Sequence, residues 1–184
     1  SRAAFTVFAT KLHAEKNAAY GDSWKKRGEM LGIMANIARK VDRLGVPGGG
    51  DTAADTAIDL MMYLIKYNLW LRQQAGAQDA PTEGKSHVAA VDFHLQHLET
   101  YAPRLDEYDN DNLIAQLRAT FDVLEHLVEE KRATRDETVR AMIHLAYPLA
   151  VRLWGQEQEH AASKAQWQAG NATRAFNYEM EEAK

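Results

Sequence analysis

Residues 57–71 read AIDLMMYLIKYNLWL. Ala57, Ile58, Leu60, Met61, Leu64, Ile65, Leu69 and Leu71 form an apolar set too wide for the single stripe of a surface helix. A helix that is apolar around most of its circumference must be covered around most of it, so this segment is expected at the centre of a bundle. Asp59, Lys66 and Asn68 interrupt the run, and no stretch of the chain is long and apolar enough to span a bilayer.

The rest of the sequence supplies helices to cover that centre. The chain has only 4 prolines and no alternating β-branched run, which predicts an all-α fold of about six helices. A first helix over 3–19 presents Phe5, Phe8, Leu12 and Ala19 and should end at Gly21. A second over 28–44 carries Met30, Ile33, Met34, Ile37, Val41 and Leu44 on one stripe, and GVPGGG at 45–50 breaks it. The central helix then starts at Asp51 or Thr52 and runs to about Ala75.

AGAQDAPTEGKS at 75–86 is linker-like in composition and divides a helical region over 1–76 from one over 87–184, with 77–86 as the linker. The second region is expected to pack on the first. It reads as a helix over 87–101, a polar loop with Pro103, and a helix over 112–131 with Leu113, Leu117, Phe121, Leu124 and Val128 inward. A last helix is opened by a Thr134-x-x-Glu137 capping box and expected to kink at Pro148.

With 46% hydrophobic residues the chain can bury a core. A net charge of −4 argues against a general nucleic-acid binder. The absence of cysteine excludes disulfides and thiolate metal sites and suits a reducing cytoplasm. The first sixteen residues show no uninterrupted apolar segment of the kind a secretory leader needs, so a cytoplasmic location is expected.

Asp51, Asp55 and Asp59 recur every four residues, which keeps them on one helical face. Like charges at that spacing repel, and a hard divalent cation would compensate them. The competing reading makes Asp51 an N-cap and leaves Asp55 favoured by the helix dipole, but it accounts poorly for Asp59 two turns in. Over 25–44, Lys25, Lys26, Arg27, Arg39, Lys40 and Arg43 face only Glu29 and Asp42, an excess of positive charge suited to phosphate or to pairing with those same aspartates.

Between the first two helices, KNAAYGDSW at 16–24 places Lys16, Asn17, Tyr20, Asp22 and Trp24 around a turn that needs only its glycine and a cap. His87, His94 and His97 have no accompanying HExxH pattern and read as surface histidines. DEYDNDNL at 106–113 lacks the glycine and closing glutamate of a calcium loop. Trp154, Trp167, Phe176 and Tyr178 read as packing or an oligomer surface.

In order, KNAAYGDSW, GEMLGIMANIARKVDRL and DTAADTAIDLMMYLIKY resemble the nucleotide modification associated domain 1 family of phages and bacteria, across about residues 12–70. That family looks like a relative of the all-α nucleoside triphosphate pyrophosphatases, the MazG-like and dimeric dUTPase group. The resemblance implies a MazG-like set of N-terminal helices with a helical C-terminal extension. It also implies Mg²⁺-dependent (or Mn²⁺-dependent) hydrolysis of a deoxynucleoside triphosphate between its α and β phosphates, and a homodimer or homotetramer. The doubled glutamate motif of those pyrophosphatases is not present, and aspartates stand on the central helix where glutamates are common.

In the enzyme reading Asp55 and Asp59, with Asp51 and a carboxylate from Glu15, Glu29 or Asp42, hold the metal and activate water. Lys40 acts beside them, while Lys16, Arg39 and Arg43 neutralise phosphates. Asn17 reads the base, Tyr20 or Trp24 stacks on it, and Asp22 in the same turn also binds the nucleotide. A second reading keeps the pocket without turnover, as a nucleotide sensor, sponge or subunit of a modification complex. A third makes the chain a structural helical protein, its aspartates caps and its cations a solvated face.

Overall fold

The structure is a computed structural model of the chain. Residues 47, 49, 102–107 and 183–184 lie outside the described residues, as do the side chains of residue 101 and of 170–182. The expectations for Pro103, for the first residues of DEYDNDNL, and for Phe176 and Tyr178 fall there. The described residues form six α-helices and no strand, an all-α bundle.

Helix α1 spans Arg2–Tyr20 and stops at Gly21, whose φ of 54° lies in the left-handed region that glycine enters without a Cβ clash. Its buried face is Phe5, Thr6, Ala9 and His13 rather than the expected Phe5, Phe8, Leu12 and Ala19. Phe8 is part-exposed yet stacks on Trp154 at 5.5 Å, Leu12 is half-buried, and Ala19 is exposed. The inward stripe therefore steps 5, 9, 13, and carries a histidine where an apolar residue was expected.

The second helix is shorter and less regular than its sequence suggests. After a 3₁₀ turn at Ser23–Lys25, residues Glu29–Met34 form a π-helical turn, and only Ala35–Arg43 is α-helical, helix α2. The wider turn shifts the register of its first residues. Met30, expected on the inner stripe, is 46% exposed, while Ile33, Met34, Ile37, Val41 and Leu44 are buried as expected. Gly32 explains the tight fit: a Cβ there would stand 3.2 Å from the Trp24 carbonyl oxygen and 3.3 Å from the Arg27 amide nitrogen.

Helix α3, Ala53–Gln74, is the expected central helix. Fourteen of its residues are buried, among them Leu60, Met61, Leu64, Ile65, Tyr67 and Leu69. It packs most extensively on α6 (Arg135–Glu182) and also on α2 and α4 (Gly84–Tyr101); α5 (Asn110–Glu129) packs on α6 and on α2. Burying each of the large aliphatic side chains contributes about 1.5–3 kcal/mol, so α3 and its covers supply most of the driving force. α6 is continuous through Pro148 and does not break there.

One buried cluster joins both halves of the chain. Phe5 meets Tyr147 and Trp154 edge-on at 5.9 and 5.7 Å, tying α1 to α6. The glycine- and proline-bearing stretch before α4 is anchored rather than loose: Ala80 and Thr82 are buried, and Thr82 donates to Gln73 at 2.7 Å. Lys25 reaches across to Thr82 and Glu83 at 3.0 and 2.7 Å, so this cation of the basic cluster is a tether.

Candidate functional site

The end of α1, the 3₁₀ turn, the outer face of α2 and one face of α3 enclose a cleft of about 350 Å³, within the range that small-molecule ligands occupy. α1 and the turn contribute Leu12, His13, Lys16, Tyr20, Gly21, Ser23 and Trp24. Arg39 comes from α2, and Asp59, Met62, Tyr63 and Lys66 from α3. Five of the residues singled out in the sequence thus share one cavity: Lys16, Tyr20, Trp24, Arg39 and Asp59.

The others lie elsewhere. Asn17 and Asp22 do not line the cleft; Asn17 gives its carbonyl to the Gly21 amide at 2.8 Å, and Asp22 gives its own to Lys25 at 3.1 Å. Arg43 and Asp51 line a separate cleft around Gly45 and Thr52. Glu15 is exposed and faces Lys11 at 4.0 Å. Glu29 belongs to the interior, where it pairs with Arg135 at 2.8 Å and accepts the Tyr67 hydroxyl.

The three aspartates have three different jobs. Asp55 forms a reciprocal capping box with Thr52: the Asp55 amide donates to the Thr52 hydroxyl at 3.0 Å, and the Thr52 amide donates to the Asp55 carboxylate at 3.3 Å. Asp51 is not the cap; its carboxylate accepts from Lys40 and Arg43, both at 3.0 Å. Asp59 pairs with Lys40 at 2.8 Å and also with Lys16. The Lys40 ammonium therefore stands between Asp51 and Asp59, where a divalent cation shared by them would have to sit.

This arrangement does not fit Mg²⁺: one carboxylate is spent on a cap, and the other two close on a lysine. Among the described residues no group of three or more His, Asp or Glu side chains is disposed to hold a metal ion.

Lys40 is buried, which alone would lower its pKa, but its hydrogen bonds to Asp59 and Asp51 outweigh burial and raise it. The hydrogen bond from Lys40 holds Asp51 below the usual carboxylate range. Both groups are charged at neutral pH, and the bridge is a fixed part of the site.

Deeper in the cleft the balance differs. Lys66 is only 8% exposed, and its Nζ lies 5.8 Å from the ring centroids of both Trp24 and Tyr63. Among the described residues it has no hydrogen-bond or ion-pair partner, because the nearby carboxylate of Asp59 is taken by Lys16 and Lys40. Burial, with the charge on Lys16, brings its pKa down to about 8 despite Asp59.

Beside it, His13 is 2% exposed and neither ring nitrogen has a partner. Burial and the charges of Lys66 and His87 lower its pKa to about 3, so it is neutral. His87, expected at the surface, is buried instead: its ring stacks on Trp24 at 5.9 Å, and Nδ1 donates to the Pro81 carbonyl at 3.0 Å. Trp24 thus has one face in the structure and one edge in the cleft, while Tyr20 is 71% exposed at the mouth.

His13, Tyr63 and Lys66 were not singled out from the sequence as site residues. A signal was there: the four-residue stepping that selects Asp55 and Asp59 continues to Tyr63, and Lys66 lies one turn further on the same face. On α1, His13, Lys16 and Tyr20 share a face in the same way.

Comparison of the chain with protein-family models, with curated proteins and with solved structures finds no match. No helix among the described residues is long and apolar enough to cross a membrane.

Proposed function

We propose that the cleft binds a nucleoside phosphate, with its phosphates on Lys16, Arg39 and Lys66 and its base against the aromatic walls. One observation carries the reading. Three cationic side chains line the cleft with a single carboxylate, Asp59, which Lys16 and Lys40 already share. Lys16 and Arg39 keep contact with solvent, but Lys66 is buried, where an under-compensated charge is costly and an anion relieves it. Tyr20 and Tyr63 beside the cations offer flat apolar surface of the kind a base stacks on, and Trp24 closes the wall between them with an edge. The resemblance in the KNAAYGDSW turn points to the same ligand class.

Of the two nucleotide readings, retention without turnover is the better supported, since the carboxylates that hydrolysis would use are committed to a cap and to Lys40. Mg²⁺ or Mn²⁺ then accompanies the polyphosphate as its counter-ion. The test is a thermal-shift screen of nucleoside mono-, di- and triphosphates, each with and without Mg²⁺, followed by product analysis of any ligand found. A shift without product is the expected result. Release of pyrophosphate would restore the hydrolase reading, and no shift with any nucleotide would leave a structural helical protein.

A further inference from the structure

The most unusual group in the molecule is the Lys66 ammonium. The other buried cation in this part of the protein, Lys40, has two carboxylates, and the part-buried Arg135 has Glu29. Lys66 has two aromatic faces and, among the described residues, no carboxylate within ion-pair distance, Asp59 acting on it only through its field. A cation–π contact is worth about 0.5–2 kcal/mol, less than the several kcal/mol needed to take an ammonium out of water. Packing does not require the charge either, because a methionine of similar length would fill the same space between Trp24 and Tyr63. Asp59, already shared by Lys16 and Lys40, offsets that cost only in part, and the charge is placed where a ligand would enter.

We propose that Lys66 is the ligand's phosphate anchor: the terminal phosphate passes Lys16 and Arg39 to pair with it at the inner end, leaving the base at the mouth against Tyr20. This deepens, and rests on, the reading of the cleft as a nucleoside-phosphate site. It fixes the direction of the ligand, phosphate inward and base outward. It also makes inorganic polyphosphate a ligand in its own right, since the inner end needs no base.

Binding is then coupled to a proton. The groups facing Lys66 are Lys16 and His13 from α1, Asp59 from its own helix, Arg39 across the cleft, and His87 behind Trp24. His13 is neutral across the neutral and alkaline range, and burial likewise lowers the pKa of His87, so neither adds a titration there. In the free protein Lys66 is half deprotonated near pH 8. A bound phosphate stabilises the charged form and raises that pKa, so binding above pH 8 takes up a proton and affinity falls as pH rises.

The experiment is calorimetric titration of inorganic triphosphate, and of the nucleotide giving the largest thermal shift, into the wild type and Lys66→Met at pH 7.0 and 8.5. The pH 8.5 runs use two buffers of different ionisation enthalpy. The expected result has three parts: proton uptake by the wild type at pH 8.5 and none by the variant, at least a tenfold loss of affinity in the variant at pH 7.0, and binding of triphosphate alone. Lys66→Arg, which keeps the charge, should retain affinity within a fewfold. Equal affinity of wild type and Lys66→Met, without proton uptake, overturns the anchor while leaving the cleft a nucleotide site. If the wild type binds neither ligand, the reading of the cleft falls as well.

Discussion

Two charged clusters lie within the bundle, and they are built on opposite terms. At one, Glu29 from the π turn meets Arg135 from α6 and the Tyr67 hydroxyl from α3. Anion, cation and donor match, and the cluster joins three elements with no charge left over. Burial and the Glu29 carboxylate push the Tyr67 pKa further up, so the hydroxyl stays a neutral donor. At the other, Lys16, Lys40 and Lys66 gather around Asp59, with Asp51 paired to Lys40 and Arg43. The first cluster is complete without a ligand; the second holds a cation that the protein itself does not neutralise. Buried charge that is balanced specifies a fold, and buried charge that is unbalanced identifies a site.

The sharpest way to break the comparison is to remove the balance of the first cluster. Glu29→Ala strands the Arg135 guanidinium and the Tyr67 hydroxyl, and should cost about 3–5 kcal/mol of stability by urea denaturation. Nucleotide affinity of the folded fraction should be unchanged. A loss of binding with little loss of stability would make Glu29 part of the site and erase the distinction.

The unbalanced cluster predicts the reverse sign. Burial brings the Lys66 pKa down to about 8 in the folded protein against the ordinary lysine value of 10.5, so the unfolded chain binds more protons between those values. The destabilising charge is fully present below pH 8, and stability rises by up to about 3 kcal/mol as pH climbs from 8 to 10.5. Lys66→Met should abolish that rise and be at least as stable as the wild type at pH 7. Lys40, whose folded pKa is raised, contributes stability that is lost only at still higher pH, so the two effects separate. A variant less stable than wild type at pH 7 would show that the ammonium is structurally compensated after all.

Gly32→Val tests how the turn carrying Trp24 is held. Its Cβ would crowd the Trp24 carbonyl and the Arg27 amide, which are backbone and cannot swing aside. Overpacking of this kind costs about 1–3 kcal/mol and should weaken nucleotide binding with it, because Trp24 moves. The smallest effect belongs to Asp55→Ala, which removes half a capping box for about 1 kcal/mol in thermal denaturation and leaves affinity as it was. Loss of a Mg²⁺-dependent activity in that variant would instead return Asp55 to the role of metal ligand.

The bundle was legible because its information is periodic. The wide apolar wrap of 57–71 placed α3 at the centre, and Leu113, Leu117, Phe121, Leu124 and Val128 placed one face of α5 inward. What periodicity missed was local. A π turn moved Met30 out of the stripe, and the Thr52-x-x-Asp55 box took the second aspartate of an apparent acidic face.

The candidate site was half legible. Lys16, Tyr20, Trp24, Arg39 and Asp59 were singled out by residue type and motif, and one cleft gathers them. Lys66 looked like a mere interruption of an apolar run, and His13 like one polar residue among many on α1. That both are buried without partners is a property of three packed elements, which no single stretch of sequence displays.

The most direct measurement of the central claim is the indole amide signal of Trp24 in a ¹H–¹⁵N spectrum. It would be assigned with Trp24→Phe and followed while a nucleoside triphosphate with Mg²⁺ is titrated in. A saturable shift of Trp24 is expected, with Trp70, Trp154 and Trp167 unmoved, since those three do not line the cleft. A Trp24 signal that stays fixed at saturating nucleotide, or a shift confined to the other three, would contradict the claim.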